Sequence, residues 1–479
     1  MALLRHSGIY FLARILAGGA AFAIIAAYTR LLDPHAFGEL ALSLAGVAFF
    51  AVLIIEGPML AMLRYLPGHS VAARATTLWG LILPAVAICC VATVGFLLAA
   101  PERWRVQLAL CAGLLLASLL HQFQLAAAQG ALRPGKYALL GSLESALDMV
   151  LGIGLVLLGY GVPGALLGTT LAALVAVAVN WRGWWINWKF FDPVLGRQML
   201  RFGLPLIASA VFGWVAAFGD RWLLAYFTDV SNAGLYSAGY DVQMNLLGVP
   251  MIVMALAGVP LAISAYSDHG VAAAQAQLRH LGALIILVLL PEAVGIAMTA
   301  PLLTTIFLGP EFRPLATALL PLMAGAIFVK ALLLYINYGY VLAGRSDLTL
   351  VSLAVAGIAN LILSLILIPR FGPWGAAVAS LLGFGAGFAV AIVKMRGVFA
   401  FPPPDAGLLI GGLLGVAAMT GFLVPFHGMT AWIAALYVIP LAILIYFGVV
   451  FLFLHFSGRQ PFGLLHSLWT DGGDQNATS

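Results

Sequence analysis

A chain of 479 residues that is 63% hydrophobic and only 8% charged, with a mean hydropathy of +1.08, lacks the polar surface of a water-soluble globule, in which about a quarter of residues are charged. The composition places it in a bilayer and excludes a soluble enzyme or a nucleic-acid-binding domain. Its net charge of +5 is informative by position rather than as a total.

A membrane helix needs about 20 mostly apolar residues. Fourteen stretches qualify: 9–30, 38–63, 76–100, 105–130, 137–159, 161–180, 200–226, 235–264, 281–307, 315–341, 348–369, 372–393, 406–425 and 430–456. The short alternating strands of an outer-membrane barrel are absent, which leaves helices as the spanning structure. The fold class is therefore an all-α polytopic membrane protein of about 14 transmembrane helices.

Gly8 to Leu31 is long enough to span and is read as the first helix, not as a cleaved signal. It carries Arg14 and closes with Arg30-Leu-Leu-Asp-Pro, where Pro34 is expected to end it. The second span holds Glu56, and His121, Gln122, Gln124 and Gln129 gather toward the end of the fourth. The fifth and sixth form a tight hairpin, and Glu144 and Asp148, four apart in the fifth, share one helix face. Cys89, Cys90 and Cys111 lie inside spans without metal-like spacing and read as apolar packing.

Between residues 181 and 199, tryptophans at 181, 184, 185 and 188 follow a helical stripe beside Arg182, Lys189 and Arg197, the signature of a linker lying in the cytoplasmic interface. Span seven contains Asp220 and Arg221, and Asp241 follows in span eight. Pro205, Pro250, Pro260, Pro291 and Pro321 interrupt spans seven to ten, where Glu292 and Lys330 fall near the expected midplane. The last two spans have no counterpart in the first half, and the polar tail from Ser457 reads as disordered.

Two phrases occur twice. Asp33-Pro-His-Ala-Phe-Gly-Glu-Leu is echoed 196 residues later by Asp229-Val-Ser-Asn-Ala-Gly-Leu-Tyr, and Tyr160-Gly-Val-Pro-Gly-Ala is echoed 211 residues later by Phe371-Gly-Pro-Trp-Gly-Ala. This divides the chain into an N-terminal six-helix lobe at 1–180, the linker at 181–199, a C-terminal six-helix lobe at 200–398, two added helices at 399–456 and a tail at 457–479. Six spans per lobe is an even number, so both copies enter from one side and the repeat is parallel, the lobes being related by a pseudo-twofold axis along the membrane normal.

Of the 22 Lys and Arg residues, 14 fall in loops on the side of the N-terminus, five (Arg30, Arg103, Arg105, Arg313, Arg370) on the other, and Arg14, Arg221 and Lys330 within spans. Both termini are expected in the cytoplasm.

No phosphate loop, His pair of metal spacing or nucleophile elbow is present, and no loop is long enough for a nucleotide-binding domain. No cofactor and no metal are expected, nor is an ATP-driven pump or an enzyme; a membrane glycosyltransferase or polymerase would need a sizeable outer loop with carboxylates. The buried charges carry the functional signal, since each costs on the order of 2.5–3.5 kcal/mol at a helix centre. Arg14, Arg221 and Lys330 are candidate contacts for an anionic substrate, and Glu56, Glu144, Asp148, Asp220, Asp241 and Glu292 are candidate coupling or counter-charge groups.

Arg30-Leu-Leu-Asp-Pro-His-Ala-Phe-Gly-Glu-Leu, the stretch from Asp220 to Ala238 (Asp-Arg-Trp-Leu-Leu-Ala-Tyr-Phe-Thr-Asp-Val-Ser-Asn-Ala-Gly-Leu-Tyr-Ser-Ala) and Ile368-Pro-Arg-Phe-Gly-Pro-Trp-Gly-Ala resemble the motifs of bacterial polysaccharide flippases, in the superfamily of multidrug/toxin extruders and lipid II flippases. The resemblance extends to about Arg396 and implies two six-helix lobes around a cavity. It also implies an undecaprenyl-diphosphate-linked oligosaccharide as substrate, carried to the outer leaflet of the inner membrane for O-antigen, lipopolysaccharide or exopolysaccharide synthesis. Arg30, Asp220 and Arg221 carry over as motif positions, Arg30 joining the cavity cations. A coupling cation, H⁺ or Na⁺, and polymerase or chain-length partners are further expectations. The six interior acids also suit a cation-coupled multidrug or small-solute antiporter of the same fold.

Overall fold

The computed structural model describes residues 2–57, 59, 76–77, 79–84, 86–87, 90–91, 95, 101–130, 133–180, 189, 191–395, 398, 406–426, 428 and 435–457. The expected linker tryptophans at 181–188, most of the expected third span, Arg396 and the tail beyond Ser457 lie outside the described residues. All regular structure within them is helical. The protein is a multi-pass membrane protein: among the described residues, ten stretches are long and apolar enough to cross a bilayer. Many large apolar side chains, among them Leu158, Leu444 and Phe456, are exposed, as the absence of water around a lipid-facing surface permits.

The chain divides by contact into two compact units, Met1–Ala238 with Asn360–Ala376, and Gly239–Ala359 with Ala377–Ser479. The division is one of contact, not of internal repetition.

The first unit contains α1 (Ala2–Leu31), α2 (Pro34–Ala51, extended by a π-turn at Val52–Glu56), α3 (Glu102–Gly130), α4 (Pro134–Leu155, extended by a π-turn at Val156–Tyr160), α5 (Gly161–Val179) and α6 (Pro193–Phe227). Helix α4 packs on α1 and α5, and α3 packs on α2 and α5. Pro34 opens α2 and does not stop α1, which ends three residues earlier at Leu31. The reason is the cap, because Asp33 Oδ1 accepts a hydrogen bond from Ala36 N at 2.8 Å and a proline is tolerated in the first turn. The 45-residue stretch Gly135–Val179, apolar on average, is broken where Gly159 and Gly161 take φ of 89° and 52°, which lets α5 fold back on α4.

Both repeated phrases have a structural meaning. Asp229 caps α7 (Val230–Gln243) as Asp33 caps α2, accepting from Asn232 N at 2.7 Å. Gly372, the counterpart of Gly161, takes φ 53° against 52°, so the first glycine of each G-x-x-G-A phrase makes the same left-handed turn into the next helix.

The second unit contains the end of α7, a π-turn at Met244–Gly248, α8 (Val249–His269), α9 (Val271–Met298), α10 (Ala300–Phe307), α11 (Arg313–Leu342), α14 (Ala406–Leu423) and α15 (Ala435–Phe456); α12 (Ser346–Phe371) and α13 (Pro373–Met395) are shared between the units. The expected span 281–307 is two helices, broken at Thr299 before Pro301. Helix α9 is central to this unit. It packs on α8, α11 and α14, and the Tyr335 hydroxyl of α11 donates to Leu278 O of α9 at 2.8 Å. The two C-terminal helices close on each other and on α9 through Met419, Leu423, Val438 and Tyr446 against Leu287, Val294 and Met298.

Candidate functional site

The first polar cluster lies within the first unit. Glu144 and Asp148 sit one turn apart on α4, and their neighbours come from three other helices. His121 of α3, 4% exposed, places Nε2 4.0 Å from Glu144 Oε2. Thr169 of α5 donates to Asp148 Oδ1 at 2.7 Å. The buried Tyr28 hydroxyl of α1 lies over Gly152, where a Cβ would overlap it and would also come to 3.5 Å from Asp148 Oδ1. Two carboxyl groups, an imidazole and two hydroxyls inside an apolar bundle form a set that can take up and release a proton or a small cation. Among the described residues no three His, Cys, Asp or Glu side chains converge in the manner of a metal site.

A second constellation joins α6 to α7. Asp220 is 1% exposed and its Oδ2 accepts a hydrogen bond from the Tyr236 hydroxyl at 2.5 Å. The neighbouring Arg221, 4% exposed, lies with its guanidinium 5.0 Å from the centre of the Phe218 ring on the same helix. Just beyond, Gly38 of α2 meets Gly234 and Val230 of α7 so closely that a Cβ on Gly38 would overlap Val230 O, and one on Gly234 would overlap Pro34 O. The glycines that align in the repeated phrase are thus the ones that touch.

The other predicted residues are spread over several elements. In the second unit, Lys330 of α11 holds Nζ 5.6 Å from the ring centre of the buried Phe384. Glu292, next to Pro291 in α9, has a buried Oε2 with no hydrogen-bond partner. Asp241 is half-buried on α7. In the first unit, Glu56 closes the π-turn of α2 and Arg30 is exposed at the end of α1, donating through Nη1 to Ala26 O at 2.7 Å. The Arg14 side chain lies outside the described residues.

A sequence model of the polysaccharide biosynthesis protein family matches residues 3–262, more than half of the chain. The chain belongs to that family. No curated protein matches the sequence. Among solved structures, the lipid II flippase MurJ in an inward closed conformation is similar with a TM-score of 0.73 at 13% identity, covering 95% of this chain and 100% of that one. An inward-facing multidrug resistance MATE family transporter of the MOP superfamily gives a TM-score of 0.61 at 16% identity over 82% of this chain and 98% of that one. A MOP superfamily transporter from Pyrococcus furiosus gives 0.59 at 16% identity over 82% and 94%. This polysaccharide biosynthesis protein therefore has the MurJ- and MATE-like fold, and the structures it is similar to are those of flippases and transporters.

In this family member the partners of the predicted charges are where sequence reasoning fell short. Tyr236, Thr169, Tyr28 and Phe384 went unassigned because hydroxyl and aromatic residues are common on apolar helices and carry no spacing signal of their own. His121 stood out as part of a polar group, but its approach to Glu144 depends on how α3 and α4 pack.

Proposed function

We propose that this protein is an alternating-access flippase that moves an undecaprenyl-diphosphate-linked oligosaccharide from the cytoplasmic to the periplasmic leaflet of the bacterial inner membrane, for O-antigen, exopolysaccharide or related surface polysaccharide synthesis. The observation that carries the reading is membership of the polysaccharide biosynthesis protein family. The MurJ-like fold supports a lipid-linked cargo.

In this reading Arg221 and Lys330, with Arg14 and Arg30, are the cations that meet the diphosphate. Guanidinium groups suit it because their fork of N–H donors matches phosphate oxygens. The chain is not an enzyme. A cation gradient drives the cycle, with the Glu144–Asp148 cluster and the remaining acids Glu56, Asp220, Asp241 and Glu292 as coupling or counter-charge groups, and a polymerase or chain-length protein receives the product. The repeat forms two lobes, 1–180 and 200–398, that rock about the substrate site, with both termini in the cytoplasm.

The test is a deletion strain in which lipid-linked intermediates are analysed by leaflet. Complete repeat units held on the cytoplasmic leaflet are the expected result; normal translocation with raised drug sensitivity would sink the reading. A second reading, a cation-coupled multidrug or small-solute antiporter, is favoured by the two neighbouring carboxyl groups of the Glu144–Asp148 cluster and by the MATE-like fold.

A further inference from the structure

Gln243 is the last residue of α7 and is 0% exposed, yet neither its Oε1 nor its Nε2 has a hydrogen-bond partner. Glu292 of α9 has a buried Oε2 in the same condition. A buried amide or carboxylate without a partner is costly, and native proteins fill such places with water or an ion.

Counting residues along the packed helices places the two at one junction. Gly258 of α8 packs on Leu281 of α9, and the two helices run antiparallel. Eleven residues are about three turns, so Glu292 stands on the same face of α9 as Leu281, opposite Leu247, eleven residues before Gly258. Leu247 lies inside the π-turn Met244–Gly248, which touches both α9 and α11. Gln243 opens that π-turn. It shares a face with Gly239, four residues earlier, which packs on Ala316 and Met323 of α11. A π-turn loosens the regular carbonyl ladder, and such turns cluster at functional sites.

We propose that Glu292, Gln243 and the main chain of the Met244–Gly248 turn form a site for a partly hydrated monovalent cation of sodium size. One carboxylate balances one positive charge. The Gln243 carbonyl supplies a second oxygen, a loosened main-chain carbonyl a third, and a water on the ion accepts the Gln243 amide N–H. Oxygen donors from an interrupted helix are the arrangement in which transporters hold such ions. The charged groups nearest on the packed elements do not take the place of the ion. Lys330 of α11 lies seven residues beyond Met323, over Phe384, and Asp241 is two residues from Gln243 and so points to another side of α7. The site does not depend on the identity of the cargo, since ion binding needs no lipid-linked sugar.

The test uses the purified full-length protein in nanodiscs at constant pH and ionic strength, with NaCl exchanged against choline chloride. Thermal midpoints and ²²Na⁺ binding are read on the monodisperse fraction. Sodium is expected to raise the midpoint by several degrees in a saturable way. Glu292→Gln should abolish ²²Na⁺ binding and Gln243→Leu should weaken it at least tenfold. The proposal is overturned if the wild type shows no sodium-specific effect, if both variants bind as the wild type does, or if binding is lost in Asp148→Asn and kept in Glu292→Gln. Stabilisation by acid instead of sodium, lost in Glu292→Gln, would also overturn it by making Glu292 a protonated carboxyl group.

Discussion

The Tyr236 hydroxyl donates a hydrogen bond to the Asp220 carboxylate across the turn between α6 and α7, and both residues are buried. Removing the hydroxyl takes a donor from a buried carboxylate, at a cost of about 1–3 kcal/mol. Tyr236→Phe is therefore expected to lower the thermal unfolding midpoint of the purified protein. Asp220→Asn, which keeps an acceptor oxygen, should lower it less than Asp220→Ala. The Asp220→Ala/Tyr236→Phe double variant should be less destabilised than the sum of its parts; strict additivity would mean that the bond contributes nothing.

The Gly38–Gly234 crossing makes a sharper demand. The atoms that an added Cβ would strike are main-chain oxygens, which cannot swing aside as a side-chain tip can. Gly38→Ala and Gly234→Ala should each force α2 and α7 apart and cost about 1–3 kcal/mol, the usual range for overpacking. Ala substitution at Gly213, around which nothing lies within 4 Å, is the control and should leave the midpoint unchanged. Equal midpoints for all three would show that α2 and α7 are not held at this distance.

The fold was legible because it is written in composition and repetition. Runs of about 20 apolar residues admit little besides a helix in a bilayer, and the G-x-x-G-A phrases were legible as a repeat, whose first glycines, Gly161 and Gly372, take φ of 52° and 53°. The Asp33 and Asp229 phrases were legible as a repeat but not as a contact, since that Gly38 would touch Gly234 depends on how two distant helices pack. The site was only half legible. Glu144 and Asp148 shared a face by spacing alone, whereas Thr169 and His121 reached them through packing of α5 and α3 on α4. Gln243 gave no signal at all, because an amide at the end of an apolar helix is remarkable only once its burial and lack of a partner are known.

Topology is open to direct measurement. With 14 loop cations on the N-terminal side and five on the other, alkaline phosphatase fused after Ser479 should be inactive, and fused after Thr228, in the turn between α6 and α7, it should be active. Activity at Ser479 would require an odd number of crossings, and so a missed or an extra span.

The cations separate the two functional readings. Arg221 is 4% exposed and Lys330 rests against Phe384, so neither side chain is free in water and each is held at a fixed place in its bundle. If a diphosphate is the cargo, Arg221→Ala and Lys330→Ala should abolish polymer export in a deletion strain while the protein remains in the membrane. Arg221→Lys should retain part of it, because the positive charge survives although the planar fork does not. Glu144→Gln and Asp148→Asn should slow export through the driving ion and leave binding of lipid-linked substrate intact. A small-solute antiporter makes the opposite demand: its cationic cargo needs the acids, so Arg221→Ala would export normally and the Glu144 and Asp148 variants would lose substrate binding. Measuring export and substrate binding on the same five variants therefore assigns the charge of the cargo.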